Sequence, residues 1–298
     1  MKKIVAIVVV ALMAGVAYYF LVVPYEFEVR FSTKTLPGDV IETIRIWNRS
    51  LQQSKVEQVV GFDELSQQIF WEGSKYHFVW KFEVIHDSLT KIVVRISEPE
   101  NRLSNKILVP FGNPKIEVDA AAISKAFFDV LKTHLDITRV KIIGESSLDS
   151  TLCVCRSLKT DQVSKANGMM SEYSLLISFV DAHNLKVKNE PIVRIEEWDH
   201  EKGTLAFDFC FQIHPVDVLP PAETVTFKKF GGIRALKAEY RGNYITSDRA
   251  WYALLQYAEA NGYKTSGKPI EYFHDNPNLG MNERNWKAEI YLPITNGN

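Results

Sequence analysis

Residues 233–294 read IRALKAEYRGNYITSDRAWYALLQYAEANGYKTSGKPIEYFHDNPNLGMNERNWKAEIYLPI, and this segment carries the strongest secondary-structure pattern in the chain. Its order is strand, amphipathic helix, strand, long turn and closing strand. The helix begins after a polar Thr-Ser-Asp cap and ends at an Asn-Gly pair, as helices commonly do. Its apolar stripe, with helical spacing, consists of Trp251, Leu254, Leu255 and Ala258.

The closing strand of this segment alternates in polarity. Trp286, Ala288, Ile290 and Leu292 fall on one face, whereas Glu289 falls on the other. We expect the apolar face to cover the helix. Glu289 then points out of the opposite side of the sheet.

The same order of elements occurs a second time, in residues 151–216. Aligning FDFCFQI of residues 151–216 with AEIYLPI of residues 233–294 puts Asp208 opposite Glu289. Two copies of one unit, each with an exposed sheet face, are expected to pair and leave a groove between them. Each copy, 151–216 and 233–294, then offers that groove one carboxylate.

Residues 233–294, the second copy in chain order, resemble the GyrI-like effector-binding domain, which is also found at the C-terminus of some transcription regulators. The resemblance is good over about the last 65 residues of the chain and weaker over the first copy. It implies a duplicated β-α-β-β unit that binds bulky, often cationic or aromatic, small molecules. The pieces that carry it are YRGNY (240–244), Ala250-Trp251, NGY (261–263), GKPIEYFHDNP (267–277) and AEIYLPI (288–294).

The resemblance also implies which residues contact a ligand. In the family a glutamate of the last strand lies in the pocket, and Glu289 has that position here. A carboxylate among aromatic side chains would attract a cationic, planar ligand. The alternatives are a solvated glutamate on an open sheet face and aromatic residues that belong to an ordinary core. The candidate ligand-binding residues are Glu289, Tyr291, Tyr272, Tyr244 and Trp251, with Asp208 added through the repeat.

The N-terminus carries the second clear signal. Lys2 and Lys3 precede 20 uncharged residues, 4–23, and Pro24 ends the run. A helix of this length is about 30 Å long, enough to cross a bilayer. We expect residues 1–24 to form a transmembrane anchor with its N-terminus in the cytoplasm and the soluble domains outside it. A cleaved signal peptide, with a site near Gly15-Val16-Ala17, is the alternative.

Residues 25–145 predict a first soluble domain. They read as a strand, short helices, a meander of strands and one long closing helix, whose stripe includes Ile123 and Phe127. This pattern resembles the START-like (SRPBCC, polyketide-cyclase-like) helix-grip fold, which often encloses an apolar cavity. A link at 144–147 then leads to the GyrI-like domain, 146–298. The predicted fold class is therefore α+β: a START-like domain, a duplicated β-α-β-β domain and one N-terminal transmembrane helix.

Composition narrows the function classes. The apolar fraction of 46% is enough for complete cores, and the net charge of −1 without a basic tract argues against a nucleic-acid partner. We find no helix-turn-helix pattern. There is also no catalytic motif, phosphate loop or spacing of metal ligands, so we predict no catalytic residues, no metal and no cofactor.

The chain has three cysteines, which permit two interpretations. Cys153 and Cys155 lie two apart on one strand, and Cys210 shares its face with Asp208. They could be three packed thiols, or Cys210 could form a disulfide with Cys153 or Cys155 if the two strands are neighbours. A disulfide would suit a domain outside the cytoplasm.

Three functions fit these observations. The first is a membrane-anchored small-molecule-binding protein without a DNA-binding domain. The second is a hydrolase of a reactive small molecule that uses Glu289 in the same groove, although nothing in the sequence singles out an enzyme. The third is a structural or interaction protein for a membrane partner.

Overall fold

The structure, a computed structural model, describes residues 2–86, 89–112, 114–188, 190–277 and 282–295. The chain divides into two compact units, Met1–Lys132 and Thr133–Asn298.

The first unit begins with a long apolar helix and continues as a five-stranded antiparallel sheet. The strand order is β1-β5-β4-β3-β2, so the first strand of the unit is an edge strand that pairs with the last strand. The long helix α4 packs on this sheet through Phe127, whose ring lies 4.8 Å from that of Trp80 and 5.4 Å from that of Trp47. The elements are α1 (Lys2–Leu21), β1 (Phe27–Thr33), α2 (Pro37–Asn48), β2 (Lys55–Val60), β3 (Glu64–Trp71), β4 (Ser74–His86), β5 (Leu89–Ser97), α3 (Arg102–Leu108) and α4 (Lys115–Ile137).

These features agree with the predicted order of a strand, a short helix, a meander and a long closing helix. A mixed α+β chain with two antiparallel sheets is therefore confirmed. The START-like assignment of the first unit stays a prediction.

The second unit contains one eight-stranded antiparallel sheet in the order β10-β7-β9-β8-β12-β13-β11-β6. The two predicted copies are β7-α5-β8-β9 and β11-α6-β12-β13, and they join side by side where β12 pairs with β8. The elements are β6 (Arg139–Leu148), β7 (Thr151–Asp161), α5 (Lys165–Ala182), β8 (Ile192–Asp199), β9 (Thr204–Ile213), β10 (Thr226–Phe230), β11 (Ile233–Arg241), α6 (Arg249–Ala260), β12 (Ile270–Phe273) and β13 (Lys287–Pro293).

Each copy gains one extra strand that the sequence did not predict. β6 precedes the first copy but pairs with β11 of the second, and β10 precedes the second copy but pairs with β7 of the first. The expected link at 144–147 is therefore part of β6. The two exchanged connections cross at Gly231, whose φ is 88°, and a Cβ there would lie 2.0 Å from the carbonyl oxygen of Asp149. Only glycine permits so close a backbone approach.

The sheet has two different faces. Helices α5 and α6 pack on one, the helix-bearing face, against large apolar side chains such as Phe207, Phe209 and Ile290. We call the other the groove face; Cys155, Cys210, Ile192, Ile270 and Tyr291 lie on it and belong to a second cluster of buried apolar side chains. Glu289 lies opposite Tyr272 in the register of β12 and β13 and makes its contacts on the groove face, as the alternation predicted.

The helix start in the second copy differs from the prediction. A short 3₁₀ turn, Tyr244–Thr246, precedes α6, which begins at Arg249. Asp248 makes no side-chain cap, because its carboxylate accepts a hydrogen bond from Gln162 Nε2 at 2.6 Å instead. A tertiary contact between the two copies thus replaces the local cap.

Candidate functional site

The centre of the candidate site is the carboxylate of Glu289 on the groove face. Lys237 Nζ lies 2.9 Å from one carboxylate oxygen and Lys287 Nζ lies 2.9 Å from the other. The hydroxyl of Tyr291 donates a hydrogen bond to the same carboxylate at 3.0 Å, and His274 Nε2 is 3.8 Å away. Strand alternation explains the set, because residues 287, 289 and 291 belong to one strand and Lys237 to the neighbouring β11.

These contacts fix the ionisation of Glu289. Burial by itself would raise the pKa of this carboxyl, but hydrogen bonds from Lys237, Lys287 and Tyr291 outweigh burial and lower the pKa to about 2. Glu289 is therefore a carboxylate at neutral pH. Its side chain is 19% exposed and the two lysines are 21% and 29% exposed, so all three can reach water.

Two tyrosines lie beside this carboxylate. The rings of Tyr272 and Tyr291 meet edge to face with their centroids 5.5 Å apart. Tyr291 is buried and Tyr272 is partly exposed. Burial raises the pKa of both phenols, so both are neutral hydrogen-bonding groups at neutral pH. The structure thus brings together Glu289, Tyr291 and Tyr272, three of the six residues expected at the site.

Asp208 lies on the same face but apart from Glu289. Three strand spacings separate β9 from β13 in the sheet order, which is roughly 14 Å. The Asp208 side chain is buried, accepts a hydrogen bond from Ser157 at 2.6 Å and pairs with Lys228 at 2.6 Å. The repeat therefore provides two carboxylates on one face, as expected, but they do not converge on one point.

Tyr244 and Trp251 lie on the helix-bearing face, away from Glu289. The indole of Trp251 is fully buried and donates a hydrogen bond to Glu271 at 3.0 Å. The hydroxyl of Tyr244 donates to the carbonyl oxygen of Lys287 at 2.8 Å, and its ring packs on Phe273 at 4.6 Å. Neither residue contacts the groove face, so a groove ligand would meet at most four of the six candidates.

Tyr244 instead lines a separate cavity of about 340 Å³ on the helix-bearing face, between the two copies. The lining is mainly apolar and includes two methionines of α5, and acidic side chains contribute from Glu190 and Asp275. Sequence reasoning missed this cavity, because its walls combine the start of α5, the segments before β8, α6 and β13, and single residues of β9 and β12. The apolar lining residues are Ala166, Met169, Met170, Tyr173, Pro191, Phe209, Tyr244, Ile245, Phe273, Pro277 and Trp286.

A buried polar cluster next to this cavity was also missed. Lys165 Nζ lies 2.5 Å from Glu271 Oε2 and donates to Ser247 Oγ at 2.8 Å. The ammonium also lies 4.5 Å from the ring centroid of Trp251. Lys165 comes from the first copy and the other three residues from the second, so this cluster ties the two copies together. The sequence signal that could have indicated this cluster is the set of polar residues at the starts of α5 and α6.

Two of the three cysteines form a disulfide. Cys155 and Cys210 are register partners on β7 and β9 and form a disulfide on the groove face. Cys153 is a buried free thiol, and burial raises its pKa to about 12. The Cys155–Cys210 bridge matches the disulfide interpretation of the three cysteines and not the interpretation as three packed thiols. No group of three or more potential metal ligands occurs among the residues that the structure describes.

Comparison with known protein families gives a match within the second unit. Residues 160–295 match the family model of the GyrI-like small molecule binding domain. This match supports a GyrI-like small-molecule-binding domain there. The chain has no match among curated proteins.

Several solved structures are similar at low identity. The crystal structure of the EcmrR C-terminal domain is 19% identical with a TM-score of 0.42, and the match covers 54% of this chain and 98% of that one. SAV2435 bound to tetraphenylphosphonium is 10% identical with a TM-score of 0.36, covering 53% and 93%. A hydrolase from Listeria innocua is 12% identical with a TM-score of 0.36, covering 53% and 92%. Similarities of this size say nothing about the ligand of this chain.

Proposed function

We propose that this chain is a membrane-anchored small-molecule-binding protein whose ligand site is the groove face around Glu289, Tyr272 and Tyr291. The observation that carries the proposal is a partly exposed, ionised carboxylate beside a pair of tyrosine rings, within the GyrI-like domain. A carboxylate provides charge, and aromatic faces provide apolar contact with a planar cation. The proposed ligand is therefore a bulky aromatic cation.

Such a cation has to compete with two lysines. In the structure Lys237 and Lys287 neutralise Glu289, so a cationic ligand displaces at least one ammonium from the carboxylate. Both lysines are partly exposed and can turn into water, which keeps the cost of the exchange small. We infer that affinity for cations depends on salt and is limited by Lys237.

The hydrolase alternative requires Glu289 to exchange a proton near neutral pH. A general acid or base works best when its pKa is close to the working pH. With a pKa of about 2, Glu289 is a poor candidate for either role in the ligand-free state. Electrostatic binding of a cation is the chemistry that this carboxylate supports better.

The membrane part of the proposal rests on α1. This helix has 20 residues, Lys2–Leu21, is long and apolar enough to cross a bilayer, and has no buried residue. We propose an uncleaved anchor with its N-terminus in the cytoplasm, because Lys2 and Lys3 precede the apolar run. The Cys155–Cys210 bridge supports soluble units in an oxidising compartment outside the cytoplasm. We propose no nucleic-acid partner.

A pair of variants with opposite expected effects tests the ligand site. Glu289→Gln removes the charge that attracts a cation, whereas Lys237→Met removes a competing ammonium. With rhodamine 6G as probe, fluorescence anisotropy should give a Kd about ten- to hundredfold weaker for Glu289→Gln, from about 1.5–3 kcal/mol of charge-assisted contact. Lys237→Met should bind about five- to tenfold more tightly, from about 1 kcal/mol.

The control is Glu259→Gln, which removes an exposed carboxylate of α6 on the helix-bearing face. It should change the Kd by less than about threefold, because only a screened surface charge is lost. General damage to the fold cannot produce one weaker and one tighter variant. If the full chain binds the probe and neither Glu289→Gln nor Lys237→Met changes its Kd, the ligand site is not at Glu289. No binding of any aromatic cation would favour the interaction-protein alternative.

A further inference from the structure

An apolar surface that the proposed ligand site does not use lies in the first unit. The segment Arg102–Phe111, which we call the α3 segment, comprises α3 and the 3₁₀ turn Val109–Phe111. Four of its large apolar side chains are exposed, with Leu103 at 66% and Phe111 at 86%, together with Ile107 and Leu108. Exposed large apolar side chains that follow one another this closely indicate an interaction surface.

The α3 segment is bonded to the C-terminal end of α1. Lys106 is almost fully buried, and its ammonium donates to the carbonyl oxygens of Tyr19 at 2.7 Å, Phe20 at 3.2 Å and Val23 at 2.5 Å. The Tyr19 hydroxyl donates in return to the Lys106 carbonyl at 3.1 Å, and Arg102 donates to the Val23 carbonyl at 3.2 Å. These carbonyls lie at the end of α1, where helical partners run out and a cation is favoured.

This cap fixes the height of the α3 segment relative to a bilayer. If α1 spans the hydrocarbon core, which is about 30 Å thick, its C-terminal end lies at the boundary between acyl chains and headgroups. A segment held by hydrogen bonds at that end lies at the same level. Leu103 and Ile107 are four residues apart and so share one side of α3. Exposed tyrosine at position 18 suits the same boundary.

We propose that the α3 segment is a second membrane contact, which inserts its apolar side chains into the acyl–headgroup boundary of the leaflet where α1 ends. The proposal rests on the proposed anchor and goes beyond it, because a simple anchor would tether the first unit without orienting it. Both basic residues of the segment, Arg102 and Lys106, already bond to the end of α1. The contact therefore depends on apolar burial and not on the charge of the lipid headgroups.

Site-directed spin labelling of the full chain in phosphatidylcholine vesicles tests this proposal. Labels are attached at Ile107→Cys and at Phe111→Cys, and their relative accessibility to oxygen and to a water-soluble nickel chelate reports immersion depth. Ala11→Cys reports insertion of α1. The matched control is Val118→Cys on α4, a valine that is 58% exposed. The unsubstituted chain, whose free Cys153 is buried, gives the background.

For both α3 labels, the ratio of oxygen accessibility to nickel-chelate accessibility should be at least about threefold higher than for the Val118 label. Vesicles that contain anionic phosphatidylglycerol should give the same immersion depth. If the labels at 107 and 111 are as accessible to the nickel chelate as the Val118 label while the Ala11 label is immersed, the second contact is overturned and the anchor stands. If the nickel chelate reaches the Ala11 label, α1 is not inserted, and both the anchor and the second contact are overturned. Immersion only in anionic vesicles would also overturn the proposal, because charge rather than apolar burial would then hold the segment.

Discussion

The ammonium of Lys165 lies 2.5 Å from Glu271 Oε2, and both side chains are buried. At the scale of single residues this pair gives the sharpest stability prediction. Lys165→Met leaves the carboxylate of Glu271 buried without its cation, which should lower the free energy of unfolding by about 3–5 kcal/mol. Urea denaturation at pH 7 measures the loss.

A double variant separates the charge effect from lost packing. Lys165→Met with Glu271→Leu replaces both ions by apolar groups and should recover much of the stability, because a buried ion pair adds little over a packed apolar pair. Lys202→Met, at a solvent-exposed pair with Asp199, should leave the free energy of unfolding close to that of the wild type. Wild-type stability in the Lys165→Met variant would mean that water reaches Glu271.

The low pKa of Glu289 gives a prediction about pH. Its pKa is about 2 in the folded chain against 4.5 for a free glutamate, so the ionised group stabilises the fold above pH 4.5. This contribution is lost as the pH falls through 4.5 towards 2. The difference in unfolding free energy between wild type and Glu289→Gln should therefore be larger at pH 6 than at pH 3. An equal difference at both pH values would show that Lys237 and Lys287 do not stabilise the carboxylate.

The candidate residues whose sheet face the sequence predicted correctly are those on strands. Alternation assigns Glu289 and Tyr291 to one face without further information, and the register of β12 adds Tyr272. Tyr244 lies in a 3₁₀ turn, where no period tells which face of the sheet a side chain joins. Trp251 lies on the apolar stripe of α6, and the pattern alone made it core, which is where the structure has it.

At the scale of elements, the crossing of β6–β7 over β10–β11 depends on Gly231. Gly231→Ala would bring a Cβ to 2.0 Å from the Asp149 carbonyl oxygen, so the backbone has to move. We expect a loss of at least about 3 kcal/mol in unfolding free energy by urea denaturation. The matched variant Gly232→Ala has a similar positive φ of 71° but no contact closer than 3.9 Å, and should cost about 1–2 kcal/mol. Equal losses in the two variants would contradict a steric role for the crossing.

The two strands that form this crossing were invisible in the sequence for a physical reason. β6 contains Gly144, Glu145, Ser146 and Ser147, a composition typical of a loop, and its strand conformation comes from pairing with β11. β10 has five residues and pairs with β7 of the other copy. Edge strands of this kind are determined by tertiary pairing more than by local propensity. The two helices and the six strands of the repeats, β7–β9 and β11–β13, belong to the order of elements that the sequence predicted.

At the scale of the whole molecule, three observations bear on one question, the compartment of the soluble units. The apolar helix α1 follows two lysines, a disulfide joins β7 to β9, and the buried Cys153 thiol is protected from exchange by its raised pKa. A disulfide persists where the environment is oxidising. If the units lie outside the cytoplasm, the same topology explains both the direction of α1 and the bridge.

This topology predicts how the chain reacts in cells. Glu223→Cys adds an exposed thiol between the two copies, and a membrane-impermeant maleimide should label it in intact bacterial spheroplasts. A cysteine-bearing tag placed before Met1 should react only after lysis, because the proposed orientation has Lys2 and Lys3 on the cytoplasmic side. Labelling of Glu223→Cys only after lysis would reverse the orientation. The mass of the membrane-bound chain decides the remaining alternative, since a cleaved signal peptide would release a protein that lacks the residues before the cleavage site.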